Sequence, residues 1–173
     1  MATGTPDTPD IPGIGLTIHR DAVRDEWVDY NGHLRDAFYL LIFSFATDAL
    51  IERIGLDEAA RLARRRSVYT LEAHVNYLRE IRLGTAVRVD ARVLAVDAKR
   101  VHLYLEMFAD GIDGAVAASE QMLMHIDTSV SRGAPFDADV AARLADLVAA
   151  QRDAPAPAHA GRVIGLPPPR AAR

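Results

Sequence analysis

The chain has 173 residues, of which 50% are hydrophobic and 25% charged, a mixture typical of a globular protein. This length suits one domain that buries its own core without disulfides or a metal. The formal net charge is −4, from 20 basic and 24 acidic side chains, which gives no sign of a nucleic-acid surface. The sequence contains no cysteine, which excludes a disulfide scaffold, a thiolate nucleophile and a cysteine-ligated zinc.

The N-terminal part of the chain predicts an arm followed by a strand. Residues 1–13 are rich in Thr, Pro, Asp and Gly, and we interpret them as a disordered arm rather than a signal peptide. A first strand is predicted within residues 14–27. No apolar run is long enough to cross a membrane, so we expect a soluble, cytoplasmic protein without a membrane partner.

A long apolar helix is predicted over residues 37–54, ending at Gly55, a residue typical of helix C-termini. Its polar atoms between residues 37 and 51 belong to Tyr39, Ser44, Thr47 and Asp48. A helix that is apolar on nearly every side cannot lie on a surface. We therefore expect other elements of the protein to enclose it.

The rest of the chain predicts a sheet between two further helices. Four strands are predicted, over residues 67–78, 86–96, 101–109 and 115–126. Their connectors are short, so neighbouring strands should be antiparallel. A short helix should begin at Asp57, and an amphipathic surface helix should run from an N-cap at Asp137 to about Gln151.

This order of elements predicts an α+β architecture in one domain, residues 14–152, with a curled antiparallel sheet wrapped round the long helix. The hotdog fold has this element order and geometry. Residues 153–173 are rich in Pro and Ala and predict an irregular tail. Val163, Ile164 and Leu166 of this tail could dock somewhere.

The candidate site is the segment from Asp29 to His33, at the mouth of the predicted long helix. Asn31-Gly32 is a strong turn signal, so a purely structural turn is one interpretation. The segment leads into a helix rather than a second strand, which argues against a hairpin. A helix N-terminus offers unpaired N–H groups that can hold a carbonyl oxygen as negative charge develops on it. A carboxylate beside them can attack the carbonyl or activate water.

The pattern Asp29-x-Asn31-x-His33 before an apolar helix resembles the active-site entry of hotdog-fold acyl-CoA thioesterases, including the 4-hydroxybenzoyl-CoA thioesterase group. The match extends over longer stretches, residues 27–33 with 43–50, and 99–103 with 118–128. These stretches are similar to the thioesterases of bacterial carnitine degradation, which cleave betainyl-CoA. The resemblance implies hydrolysis of a small acyl-CoA by a homodimer or tetramer with sites between subunits. It implies no cofactor beyond the coenzyme A of the substrate.

The same resemblance makes Asp29 the catalytic carboxylate, as nucleophile or as general base. Asn31 and His33 would orient it or the attacking water. The helix N-terminus near Asp36 would supply a backbone N–H for the oxyanion, although a helix-capping role for Asp36 is equally open. Asp48, inside the long helix, is the alternative nucleophile, and a hydrogen-bonded structural role is its more ordinary interpretation.

Further side chains are candidates for binding the substrate. Those assigned to the acyl group are Trp27, Tyr39, Thr70, Glu72 and Tyr77. The betainyl resemblance implies a trimethylammonium group, which aromatic faces hold best. Trp27 and Tyr77 fall at the ends of predicted strands, so we expect partly exposed rings, with Glu72 as a nearby negative charge. The coenzyme A phosphates are assigned to Lys99 and Arg100, with Arg79 and Arg82 as further candidates.

Several alternatives remain open at this stage. Glu72, His74 and Asn76 alternate on one strand face, which either faces solvent or lines a site shared with a partner subunit. A metal site of Asp29, His33 and His74 lacks a helical His pair, and we expect no metal. A hotdog dehydratase or hydratase would rely on His33 or His74 with an acid across the interface. A non-catalytic acyl-CoA-binding module would need a pocket but no carboxylate at the helix mouth.

Overall fold

The computed structural model describes residues 15–166, which form one antiparallel sheet with helices. The strands are β1 (Leu16–Ala22), β2 (Arg66–Tyr77), β3 (Ala86–Val96), β4 (Arg100–Ala109), β5 (Ala115–Asp127) and the short β6 (Arg132–Gly133). The helices are α1 (Asp36–Arg53), α2 (Glu58–Arg64) and α3 (Ala138–Ala150), with a 3₁₀ turn at Asp25–Trp27. The predicted arm over residues 1–13 lies outside the described residues, as does the end of the predicted tail.

The strands lie side by side in the order β1-β3-β4-β5-β2, and β6 pairs with the end of β5. Both edge strands, β1 and β2, also contact α1. A flat sheet of five strands would be about 19 Å wide, too wide for one helix to reach both edges. The sheet therefore curls round α1, and the predicted α+β hotdog architecture is confirmed.

Helix α1 packs one side against the curled sheet. Its buried side chains are Tyr39, Ile42, Phe43, Ala46, Thr47, Leu50 and Ile51. They belong to the same hydrophobic core as an apolar row on β4, formed by Val101, Leu103, Leu105 and Met107. Leu40, Ser44 and Asp48 lie on the opposite side of α1 and are exposed. The expectation that the helix is enclosed on every side is thus wrong for the single chain, because one curled sheet covers only part of a helix surface.

A buried polar contact fixes α1 on β5. The Thr47 hydroxyl lies 2.9 Å from the backbone carbonyl of Phe43 and 2.9 Å from Oε1 of Gln121. The Gln121 amide in turn donates to the Ser119 hydroxyl at 3.2 Å. Buried polar groups cost free energy unless they are hydrogen-bonded, so this contact favours a single register between helix and sheet.

Most predicted boundaries agree with the structure to within a few residues. Asp57 caps α2 by accepting a hydrogen bond from the N–H of Ala60 at 2.8 Å. Asp137 precedes α3 as predicted, but its carboxylate pairs with Arg64 on α2. Among residues 15–166, none of the helices combines the length and apolar character that a membrane span requires.

The Thr47 contact generates a stability prediction. Thr47→Val should lower the free energy of unfolding by about 1–3 kcal/mol, because Oε1 of Gln121 loses a partner in a buried position. The double variant with Gln121→Leu should cost less than the sum of the single variants. Ser44→Ala, on the exposed side of the same helix, is the control and should change stability by less than about 0.5 kcal/mol. Urea unfolding measures the four variants and the unchanged chain, and strictly additive losses would contradict the proposed coupling.

Candidate active site

A tight loop over residues 28–34 leads into α1. Its ends pair through an isolated bridge between Val28 and Leu34, and the N–H of Asp29 donates to the His33 carbonyl at 2.9 Å. Gly32 has φ +75°, a conformation that side chains with a Cβ rarely adopt. The N–H of Leu34 donates to the Ile81 carbonyl, which holds the loop against the segment after β2. The loop is therefore held by hydrogen bonds between its own ends and by a hydrogen bond to the segment after β2.

The Asp29 carboxylate is held by backbone amides of its own loop. Its Oδ1 accepts hydrogen bonds from the N–H of Asn31 at 2.8 Å and from the N–H of His33 at 3.1 Å. The hydrogen bond from His33, helped by the one from Asn31, lowers the pKa of Asp29 below its usual 3.8. The carboxylate is therefore ionised at neutral pH.

Asn31 and His33, the two other residues of the motif, contact Asp29 through their backbones and not through their side chains. Asn31 and His33 orient Asp29 through their backbone N–H groups, as the hydrogen bonds show. The Asn31 side chain is exposed, whereas Nε2 of His33 lies 3.6 Å from the carboxylate of Glu80. Sequence reasoning missed Glu80. The only available signal was its place directly after a strand, where several charged residues follow one another.

The start of α1 lies next to this loop. Arg35 occupies the N-cap position and donates through Nε to the Val28 carbonyl at 3.0 Å. Asp36 is the first helical residue, and its Oδ1 accepts from the N–H of Ala37 at 2.8 Å. The prediction that the helix begins near Asp36 is confirmed, with Arg35 rather than Asp36 as the cap. The positive end of the helix dipole therefore lies beside the Asp29 loop.

Two tyrosines join the helix start to the end of β2. The buried Tyr39 donates its hydroxyl to the Arg79 carbonyl at 3.1 Å. The Tyr77 hydroxyl donates to the Asp36 carbonyl at 3.3 Å, and the two rings meet edge to face at 5.4 Å. Tyr77 is 53% exposed, so it presents an aromatic surface at the helix mouth, as expected. The edge-to-face contact with the buried Tyr39 holds the Tyr77 ring in place.

Trp27 does not match its predicted role. It is only 4% exposed, so the expected open ring is wrong. Its ring stacks on Phe38 at 5.8 Å, and the Arg24 guanidinium covers it at 4.3 Å. The sequence places Trp27 at a strand end, but the residues before it form a 3₁₀ turn that directs the ring into the core.

Glu72 lies away from the Asp29 loop within one chain, and Thr70 precedes Tyr77 by seven residues on β2, about 23 Å along the strand. We call the face of the sheet that carries α1 the inner face and the other the outer face. Glu72 lies opposite Met122, and His74 lies opposite Glu120 on β5. Because Gln121 contacts α1, its strand neighbours point to the outer face. Glu72 and His74 therefore share the outer face, and Asp29, His33 and His74 do not form a common set of metal ligands.

The candidate phosphate-binding residues divide into two groups. Lys99 and Arg100 follow β3, whose 11 residues carry the chain about 35 Å away from its start near the Asp29 loop. Arg100 is moreover paired with Asp97 at 2.6 Å. Within one chain these residues thus lie at the far end of the sheet from Asp29. Arg82 lies at the loop instead, because it forms a bridge with His33.

Asp48, the alternative nucleophile, is also remote from the loop. It lies 12 residues beyond the first residue of α1, or about 18 Å along the helix axis. It is exposed on the side of α1 that the sheet leaves open. In a single chain it therefore cannot act together with Asp29.

A family model of the Thioesterase-like superfamily matches residues 23–144, which include the whole candidate site. The chain belongs to this superfamily. The predicted resemblance to hotdog-fold acyl-CoA thioesterases is thereby confirmed. A betainyl-CoA thioesterase of Pseudomonas aeruginosa is 50% identical over 155 residues, which cover 90% of this chain and 98% of that protein. An L-carnitine dehydrogenase/betainyl-CoA thioesterase of Agrobacterium fabrum is 40% identical, and the match covers 86% of this chain but 30% of that longer protein.

Two solved structures show the same fold. A candidate thioesterase from Pseudomonas putida KT2440 superposes with a TM-score of 0.78 at 47% identity, covering 95% of this chain and 99% of that one. A hypothetical protein from Staphylococcus aureus, solved in complex with CoA, gives a TM-score of 0.80 at 28% identity. That comparison covers 89% of this chain and 98% of the other.

The geometry of the Asp29 loop generates a prediction about Gly32. Gly32→Ala should raise the pKa of Asp29 and lower turnover, because a Cβ disfavours the turn that aims two N–H groups at the carboxylate. Gly111→Ala is a matched control, since Gly111 has φ +77° and, like Gly32, an open space where a Cβ would lie. Both variants should lose about 1 kcal/mol of stability. NMR titration of the Asp29 carboxyl should show a shift only for Gly32→Ala, and equal behaviour of both variants would contradict the assignment.

Proposed function

We propose that this protein hydrolyses a small acyl-CoA thioester and that betainyl-CoA is its substrate. The observation that carries the proposal is an ionised Asp29 held by two backbone amides beside the start of α1. The choice of acyl group is supported by the 50% identity to a betainyl-CoA thioesterase. The CoA complex of the Staphylococcus aureus relative supports coenzyme A as part of the substrate, and we propose that no other cofactor takes part.

The reaction breaks the thioester C–S bond and forms a C–O bond with an oxygen that comes from water. Asp29 can act in two ways, by attacking the carbonyl carbon to form an anhydride or by taking a proton from water. Both routes require the ionised carboxylate, and the lowered pKa of Asp29 keeps it in that form. Backbone N–H groups at the start of α1 would stabilise the oxyanion.

Asp29→Asn tests the catalytic assignment directly. This change keeps the shape of the side chain and removes its charge, so turnover should fall at least about a hundredfold with almost unchanged folding. Asp57→Asn is the matched control, because Asp57 also accepts a backbone N–H but lies at the start of α2. Free-thiol release from betainyl-CoA measures both variants. Full activity in the folded Asp29→Asn protein would refute the assignment and direct attention to Asp48.

The trimethylammonium group of betaine requires a particular kind of pocket. It cannot donate hydrogen bonds, so aromatic faces and nearby negative charge hold it best. Tyr77 offers a half-exposed ring, and its hydroxyl is fixed by the Asp36 carbonyl. Glu80, next to His33, supplies negative charge at the same mouth, a role that the outer-face Glu72 cannot fill within one chain. We therefore assign the cation to Tyr77 with Glu80.

Tyr77→Leu should separate recognition of the cation from recognition of coenzyme A. The variant should lower kcat/KM for betainyl-CoA by about 2- to 30-fold, the worth of one cation–π contact. It should change kcat/KM much less for tert-butylacetyl-CoA, the uncharged substrate of the same shape. Tyr69→Leu is the control, because Tyr69 is similarly exposed on the same strand but lies near its other end. Equal losses for both substrates would contradict the assignment of the cation to Tyr77.

We also propose that the protein works in the cytoplasm as a homodimer or a larger homo-oligomer. Strand β2 is a 12-residue edge strand, and its side chains Tyr69 and Leu71 are exposed. A long open edge of this kind promotes aggregation unless another strand pairs with it. Pairing β2 with β2 of a second copy would continue the sheet across a two-fold axis.

Light scattering at micromolar concentration tests the predicted assembly. The mass should be at least that of two chains, because each unpaired β2 edge leaves a row of backbone groups without strand partners. A mass of one chain would contradict the pairing of β2 strands.

A further inference from the structure

The chain after α3 crosses the outer face of the sheet, at right angles to the strands. We call residues 151–166 the C-terminal arm. Four outer-face side chains form one row across neighbouring strands, Arg92 on β3, Tyr104 on β4, Glu120 on β5 and His74 on β2. The arm follows this row from its β3 end.

Each step of the arm is held by one member of the row. The Arg92 guanidinium donates to the backbone carbonyls of Ala154 and Pro155. The Tyr104 hydroxyl meets the backbone of His159. Glu120 accepts from the N–H of Gly161 at 2.6 Å through one oxygen. The arm thus advances across three strands in order.

A second contact fixes Glu120 itself. Its other carboxylate oxygen lies 2.6 Å from Nε2 of His102, on the neighbouring strand β4. The carboxylate therefore has a fixed position when it receives the N–H of Gly161. The arm leaves β5 in a defined direction, toward β2.

Only β2 remains ahead of the arm at this point. Arg162 and Val163 border an outer-face cavity of about 300 Å³ together with Glu72 and His74 of β2. Neighbouring strands are about 4.8 Å apart, whereas five residues can span roughly 17 Å. Residues 162–166 are therefore long enough to pass beyond the free edge of β2.

The end of the described arm is apolar, and none of residues 15–166 covers it. Val163, Ile164 and Leu166 are 91%, 89% and 97% exposed. The surface on which these side chains could dock is therefore not part of the described residues of the same chain. Three exposed apolar side chains in one short segment form the kind of patch that marks an interaction site.

We propose that residues 162–166 cross the edge of β2 and pack on the outer sheet face of a second copy of this chain. This inference rests on the proposed pairing of β2 strands. In a two-fold dimer of this kind the partner's β2 lies directly beside the β2 of the first chain. An arm that passes beyond the first β2 therefore reaches the outer face of the partner's sheet. The symmetry makes the contact reciprocal, because each copy gives an arm and receives one.

The first test measures the strength of the dimer. A variant with Val163→Ser, Ile164→Ser and Leu166→Ser should raise the dimer dissociation constant at least tenfold. Val130→Ser is the control, since Val130 is also exposed but lies in the turn after β5. Sedimentation at a series of concentrations measures both proteins and the unchanged chain. A dissociation constant equal to that of the unchanged chain would overturn the role of the arm.

The second test asks which chain the arm contacts. The natural chain lacks cysteine, so engineered cysteines report single pairs without background. Two differently tagged chains are mixed, one with Ile164→Cys and the other with Glu72→Cys, and oxidised under dilute conditions. A disulfide that joins the two tags is expected. A disulfide that forms only inside a chain carrying both changes would overturn the proposal.

The two tests separate the failure of the arm from the failure of the dimer. If the unchanged chain is a monomer, the pairing of β2 strands is wrong and the arm proposal falls with it. If the chain is a dimer, but the serine variant keeps its affinity and no disulfide joins the tags, only the arm proposal is wrong. Hydrolysis of betainyl-CoA by the serine variant then reports whether the active site depends on the arm.

Discussion

The packing of one apolar helix into a curled sheet is the constraint on which the rest of the structure depends. Burial of α1 against the inner face of the sheet removes a large apolar area from water, and the sheet curls round the helix. The buried hydrogen bond between Thr47 and Gln121 fixes the position of α1 along the sheet. Once α1 is fixed, the position of its N-terminus is fixed as well, and the candidate site lies beside it.

The candidate site uses backbone groups more than side chains. The loop before α1 directs two N–H groups at Asp29, and the helix start adds its own dipole beside them. These groups favour the charged form of the carboxylate and keep it in one position. Tyr77 and Glu80 come from the segment at the end of β2, so the curvature of the sheet brings them to the same mouth.

The single chain leaves two related surfaces open. One is the exposed side of α1, with Leu40 and Asp48, and the other is the free edge of β2. A curled sheet of five strands can cover only part of a helix, so both surfaces follow from the same geometry. The C-terminal arm points toward the same edge, which connects the path of the tail to the assembly that we propose.

The sequence by itself determined the order of the elements, the hotdog architecture and the motif that contains Asp29, because periodicity, turn signals and motifs are local properties of the chain. The tertiary structure decided which side chains meet. It buried Trp27, placed Lys99 at the far end of the sheet and turned Glu72 to the outer face. It also brought Glu80 to His33, although 46 residues separate them in the chain. Such contacts depend on strand register and sheet curvature, and these follow from packing between distant segments rather than from neighbouring residues.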